Sequence, residues 1–154
     1  MKNLKISTPS FLVFLLLSLF SLSTAYGQLT PNADAYTNTA LPTTNFGTKT
    51  LLDVQSASQT SYIQFDLSSI PAGYTSANVA KASLKLYVNA VTTAGSFNVN
   101  FINGTWSEKT ITANLSPALG ATIAASVPLT SSNVHDFIII DVTAAVGAWL
   151  DGGG

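Results

Sequence analysis

Hydrophobic and polar residues alternate along several stretches of the chain, and a period of two predicts strands with one buried side. The clearest case is YIQFDLSSIPAG at positions 62–73. Ile63, Phe65 and Leu67 are predicted to face the core, and Tyr62 falls on the opposite side. Proline and glycine then mark a turn. We expect this stretch to be the central strand, with the other strands packed around it.

Alternation and short apolar runs predict six further strands. They cover residues 33–36, 50–55, 79–91, 97–101, 121–129 and 135–142. Residues 79–91 and 97–101 are expected to form a hairpin, because the turn between them is short and contains glycine. A proline near the end of 121–129 favours a sheet edge. The centre of 135–142 is apolar on both faces, which predicts a strand buried inside a sandwich.

The last segment has a helical period instead. Its apolar residues recur at the spacing i, i+3, i+4, i+7, i+8. They are Val142, Ala145, Val146, Trp149 and Leu150. Asp141 and Thr143 are the candidate caps at the start of this helix, and Gly152 is the candidate end. We expect the helix to close one end of the sandwich.

Residues 1–27 form a separate segment. Lys2 and Lys5 precede an apolar stretch at 11–22, and small residues follow it, which is typical of a secretory signal peptide. The apolar stretch is shorter than the roughly 20 residues that a membrane-spanning helix needs. An uncleaved anchor is the alternative. We therefore expect a secreted or cell-surface protein with no membrane span after cleavage.

Together these patterns predict an all-β fold class: an antiparallel jelly-roll-like β-sandwich with one short C-terminal helix. The length of 28–154 suits a single domain with one core. The sequence stops just after the predicted helix, with nothing to close the second sheet. We therefore expect the domain to be truncated before its last strands.

Charge and cysteine content narrow the function classes. Residues 28–154 contain four lysines and seven acidic residues, a net charge of −3, and the chain has no arginine. Nucleic-acid binding usually needs a basic face, so the composition argues against that partner. The chain also lacks cysteine, so its stability must come from a packed core rather than from disulfides.

Five blocks of the sequence resemble, in order, the DNRLRE domain, a secreted β-sandwich module classed among carbohydrate-binding modules of the alginate-binding type. The blocks are ADAY with NFG (33–36, 45–47), YIQFDLSSIPAG (62–73), KASLKLYV (81–88), WSEKTIT (106–112) and DVTAAVGAWLDG (141–152). Gln64, Ala113 and Gly147 depart from the family, which usually has arginine, tryptophan and a basic residue there. The family's last strands fall beyond Gly154.

The resemblance implies a noncatalytic extracellular module that binds polysaccharide, with an acidic polysaccharide such as alginate as the expected partner. It also implies that the module is joined to other extracellular domains in the full-length protein. A second hypothesis is a structural or adhesive module of a cell-surface or fibre protein with no sugar site. Rows of threonine and asparagine on exposed strand faces fit that hypothesis equally well.

Sugars are bound by aromatic rings and by polar groups, and uronates also attract cations. On these grounds the candidate ligand-binding residues are Asn45, Phe46, Lys49, Lys85, Tyr87, Trp106, Glu108 and Lys109. Two structural alternatives stay open. Trp106 could instead anchor the core, and Lys85 with Tyr87 could form a solvated strand face.

Catalysis has little support in the sequence. His135 is the only histidine and Glu108 the only glutamate, whereas a catalytic triad or a glycosidase carboxyl pair needs several such groups to converge. We therefore expect no enzyme activity, and a polysaccharide lyase or hydrolase ranks last. No cofactor is expected. A structural calcium ion stays open, with Asp34 and Asp66 as candidate ligands, since calcium prefers six to eight oxygens.

Overall fold

The computed structural model describes residues 27–152, so nearly all of the predicted signal peptide lies outside the described residues. Within this range the chain forms six strands and one α-helix. The strands are β1 (Pro31–Asn38), β2 (Gln59–Phe65), β3 (Ser83–Tyr87), β4 (Gly95–Asn103), β5 (Ala118–Leu129) and β6 (Phe137–Asp141), and helix α1 spans Thr143–Leu150. All strand pairs are antiparallel. This confirms the all-β fold class with one short C-terminal helix, and it is consistent with a β-sandwich.

The strands pair two by two: β1 with β2, β4 with β5, and β3 with β6. The predicted hairpin between residues 79–91 and 97–101 is therefore wrong. The first of these stretches narrows to β3, which pairs with the distant β6, and the second lies in β4, which pairs with β5. In the β3–β6 register Leu84 lies opposite Ile140, so each strand places a branched apolar residue on the inner face of the sheet. Burying these side chains together favours this pairing over a local hairpin.

The core forms where β1 and β2 meet the segment after β4. Ala35 and Tyr62 are directly paired across β1 and β2, and both are buried together with Ile111. Ile102 and Trp106 pack against this cluster. The cluster therefore joins the β1–β2 sheet to the β4–β5 sheet and to the loop that leaves β4.

The central position predicted for residues 62–73 is wrong, because among the described residues β2 pairs only with β1 in a two-stranded sheet. The buried side of β2 also differs from the prediction. Tyr62, assigned to the outer side, is 3% exposed, whereas Ile63 and Phe65 are only half-buried. The ring of Tyr62 lies 5.8 Å from that of Trp106, centroid to centroid. A large aromatic ring buries more apolar surface than a neighbouring isoleucine, so this contact determines which side of β2 faces the core.

Two other strand predictions also need correction. Residues 50–55 do not form a strand; only Gln55 makes a bridge, to Gln59 across a tight turn. Leu51 and Val54 are exposed, so this stretch has no sheet against which to bury its apolar side chains. The strand predicted within 135–142 is present as β6, but it is not buried on both faces, because Phe137 and Ile139 are exposed.

Helix α1 begins and ends where the sequence predicts. The N–H and the hydroxyl of Thr143 both donate to the Asp141 carboxylate, at 2.9 and 2.6 Å. Gly152 follows the helix with a φ of 82°, a left-handed conformation that suits glycine. The ring of Trp149 meets Phe101 of β4 edge to face at 5.5 Å. This ring contact connects the helix to β4. No helix among the described residues is long and apolar enough to cross a membrane.

Candidate functional site

The two loops that carry most of the sequence-predicted site residues do meet in the structure. The Asn45 amide donates to the backbone oxygens of Glu108 and Ile111, at 2.8 and 2.7 Å. The Glu108 carboxylate in turn accepts the backbone N–H of Asp34 at 3.1 Å. Gly47 lies so close to Glu108 that a Cβ atom there would collide with the Glu108 carbonyl oxygen. We call this contact between residues 45–47 and 108–111 the loop junction.

The polar groups of the loop junction bind other parts of the chain. The Asn45 amide and the Glu108 carboxylate each hold backbone groups from a distant segment. Backbone N–H and C=O groups that leave water need such partners. The geometry therefore gives these two side chains a structural role, and the sequence alone does not distinguish this role from ligand binding.

The two aromatic candidates near the junction lie in packed surroundings. Phe46 is 9% exposed, and its ring stacks on Tyr36 with centroids 4.4 Å apart and planes at 19°. Trp106 packs against Tyr62 and the core cluster. Both rings are therefore packed against other aromatic side chains, and for Trp106 the structure agrees with the core-anchor alternative.

Lys49 lies beside a shallow open cleft of about 200 Å³. Its lining is formed by Tyr36, Lys49, Thr50, Leu51 and Asp53. Burial raises the pKa of Tyr36 above its ordinary value, and the nearby Asp53 carboxylate adds to this rise. The cleft thus combines one cation with one carboxylate. Lys109 is exposed in the loop before Ile111.

A different group of side chains lies on the outer side of the β3–β6 sheet. Tyr87 is paired with Phe137, and Lys85 with Ile139, in direct cross-strand register. The three apolar members are 54%, 46% and 67% exposed for Tyr87, Phe137 and Ile139. We call these four residues the outer β3–β6 face.

The rings on this face are ordered by one another. Tyr87 and Phe137 meet edge to face with centroids 5.2 Å apart and planes at 67°. The Lys85 ammonium lies 4.1 Å from the centre of the Phe137 ring, a favourable cation–π distance. Aromatic rings and a cation therefore stand together on an exposed, sheet-supported surface.

The carboxylates of the described residues do not gather into a metal site. No group of three or more histidine, cysteine, aspartate or glutamate side chains is close enough to hold an ion within 27–152. Of the two predicted calcium ligands, Asp66 accepts the backbone N–H of Ser68 at 2.8 Å. This bond lowers the pKa of Asp66, and the Ser68 side chain contributes to the same effect. Within 27–152, neither Asp34 nor Asp66 belongs to such a group, and a structural calcium ion stays a prediction, because calcium also accepts backbone and amide oxygens as ligands.

Sequence reasoning identified Lys85 and Tyr87 on the outer face of β3 but missed their partners on β6. The run FIIID gives no period-two signal, because every position before the aspartate is apolar. Only the pairing of β6 with β3 shows which two of these residues are outside. The alternating pattern of β3 could have identified the exposed side of β6. This inference requires the strand order, because β3 and β6 are distant in the sequence.

Comparison with known families places the chain. The family model of carbohydrate-binding module family 96 matches residues 25–154. A search of curated proteins finds no match. The matched range includes all six strands, α1, the loop junction and the outer β3–β6 face. The chain belongs to carbohydrate-binding module family 96.

Proposed function

We propose that this protein is a noncatalytic, extracellular polysaccharide-binding module whose ligand is an acidic polysaccharide such as alginate. The observation that carries the proposal is the family match over residues 25–154. Modules of this kind are typically noncatalytic and often extracellular. We further propose that the domain occupies 28–154, after a cleaved leader, and that it is joined to other extracellular domains.

The distribution of lysines supports an acidic ligand. Lys49, Lys85 and Lys109 are all exposed, so their ammonium groups are accessible to a polymer. The net charge of residues 28–154 is negative, and long-range attraction of a polyanion by the whole molecule is therefore unfavourable. Binding of a uronate polymer must instead depend on short-range contacts around individual lysines.

Affinity gel electrophoresis of the protein tests this function. We expect migration to be retarded in a gel containing alginate and less retarded in a gel containing a neutral glucan. Retardation should weaken as NaCl is raised from about 0.05 to 0.5 M, since the Debye length falls well below 10 Å over that range. A non-binding protein of similar size and charge in the same gel provides the control.

The same gels separate the proposal from its competitors. If no acidic or neutral polysaccharide retards the protein, the polysaccharide-binding function is rejected in favour of a structural or adhesive module. If a neutral polymer alone retards it, the acidic ligand class is rejected. Release of unsaturated or reducing sugars from alginate during incubation would contradict the noncatalytic assignment.

A further inference from the structure

We propose that the acidic polysaccharide lies along the outer β3–β6 face, with its sugar rings against Tyr87 and Phe137 and a uronate carboxylate beside Lys85. This inference rests on the proposed function and assigns its site. It adds Phe137 and Ile139 to the binding surface and separates that surface from the loop junction.

The apolar side chains of the outer β3–β6 face are exposed to solvent. The inner side of the same sheet carries Leu84, Leu86, Ile138 and the buried Ile140. These side chains form the contribution of β3 and β6 to the core. Placing a tyrosine, a phenylalanine and an isoleucine on the outer side adds nothing to that core. Ligand-binding surfaces are lined mainly by apolar and aromatic side chains with a few polar groups among them, and the outer β3–β6 face has this composition.

The rings of Tyr87 and Phe137 have a fixed mutual geometry that suits a sugar. Because Tyr87 and Phe137 meet edge to face, they hold each other's orientation while remaining about half exposed. Sugar rings present C–H groups that pack on aromatic faces. Two rings supported by paired strands are preorganised for such a contact, which reduces the entropy lost on binding.

The charge of Lys85 favours an acidic ligand on this face. The Lys85 ammonium covers one face of the Phe137 ring, so a sugar that packs on the remaining exposed surface of the two rings can place its carboxylate beside this cation. The nearest acidic residues of the strand pair, Asp136 and Asp141, stand at the two ends of β6. Asp136 accepts the N–H of Phe137 at 2.7 Å, and Asp141 accepts that of Thr143. A polyanion is thus attracted at the middle of the face and repelled at its ends.

The size of the face argues against a second copy of the chain as its occupant. Five paired residues span about 17 Å and two strands about 10 Å, from a rise of about 3.4 Å and a spacing of about 4.8 Å. The resulting area of roughly 170 Å² is far below the roughly 800 Å² per partner of a stable protein interface. A narrow strip of this shape suits an extended polymer chain.

Binding of alginate oligosaccharides to variants of the full protein, measured by isothermal titration calorimetry, tests the assignment. Phe137→Ala and Lys85→Ala are each expected to raise the Kd roughly tenfold. Leu115→Ala, which truncates another exposed side chain, should bind as the wild type does, and the Lys49→Ala/Lys109→Ala double variant should lose less affinity than Lys85→Ala. Circular dichroism checks the folding of each variant.

A chemical variant of the ligand separates stacking from charge. When the carboxylates of the oligosaccharide are reduced to alcohols, Lys85→Ala should no longer differ from the wild type, whereas Phe137→Ala should still weaken binding. If Phe137→Ala fails to fold, Lys85→Ala decides alone, because replacing an exposed lysine does not disturb the core.

The outcomes distinguish the two proposals. If the wild type binds but folded Phe137→Ala and Lys85→Ala variants bind equally well, the site assignment is overturned and the polysaccharide-binding function stands. The assignment is also overturned if only the Lys49→Ala/Lys109→Ala variant loses binding. If the wild type binds no polysaccharide, both proposals fail.

Discussion

At the scale of single residues, Asn45 shows how one side chain can hold two loops together. Its amide donates to two carbonyl oxygens more than sixty positions away along the chain, those of Glu108 and Ile111. Its own side-chain oxygen accepts the N–H of Gly47 at 3.2 Å. Because Gly47 has no Cβ, the Glu108 backbone can approach it closely. Asn45 and Gly47 together therefore allow the two loops to meet.

Adding a methyl group at Gly47 should therefore be costly. We expect Gly47→Ala to lower the free energy of unfolding by about 1–3 kcal/mol, since the added Cβ overlaps Glu108 and forces the loops apart. Urea unfolding followed by tryptophan fluorescence measures the effect. Gly95→Ala is the matched control, because a Cβ there meets nothing within 4 Å. Equal midpoints for both variants would show that the junction tolerates displacement.

The residue scale also shows what composition and spacing could identify. ADAY and NFG mark the two sides of the loop junction, and Trp106 stands out as a core anchor or a sugar platform. The sequence could not decide whether Asn45, Phe46 and Glu108 face a ligand or the protein itself. That distinction depends on which distant backbone groups lie within about 3 Å, a tertiary property that local pattern does not contain.

At the scale of elements, α1 is the best predicted feature and the β3–β6 sheet the worst. The start of the helix at Thr143 depends on a hydrogen bond to Asp141, and its end at Leu150 is followed by Gly152, whose conformation suits glycine. Both signals are visible in the sequence. The sequence does not identify the partner of β3, because its apolar pattern is compatible with pairing to several other strands. Residues 50–55 were mistaken for a strand for the same reason, since alternation does not supply a partner.

The packing of α1 on β4 gives a prediction at this scale. Trp149→Ala removes the edge-to-face contact with Phe101 and should destabilise the protein by about 2–3 kcal/mol, somewhat less than for a fully buried tryptophan. The urea midpoint should fall with little change in the slope of the transition. Leu115→Ala, at a side chain that is 71% exposed, should change stability by about 0.5 kcal/mol or less. Similar losses for both variants would contradict a supporting role for α1.

At the scale of the whole molecule, three carboxylates link the fold to pH. Hydrogen bonds from Ser68, Thr143 and Ser76 lower the pKa values of Asp66, Asp141 and Asp151, respectively, below the ordinary value of 3.8. A lowered pKa in the folded state means that folding favours the charged carboxylate. The stability from these bonds is therefore complete above pH 3.8 and is lost as the pH falls through the lower folded values.

Acid unfolding should reveal this linkage. The urea midpoint of the wild type should be nearly constant from pH 6 to about pH 4.5 and then fall modestly towards pH 2.5, because the three carboxylates are exposed and solvent weakens their interactions. A D66N/D141N/D151N variant should be less stable at pH 6 but should lose less stability on acidification, since its amides do not titrate. Parallel pH profiles for the two proteins would show that other groups control acid stability.

The pairing of β3 with β6 has a consequence for how the protein acquires its ligand. Both β4 and β5 lie between β3 and β6 in the chain. Pairing β3 with β6 therefore costs more loop-closure entropy than pairing strands that are neighbours in the sequence. Tyr87 and Phe137 come together only when that long loop has closed. A polymer that contacts both rings, as proposed, therefore binds only chains in which β3 and β6 have paired, and its binding stabilises that sheet by mass action.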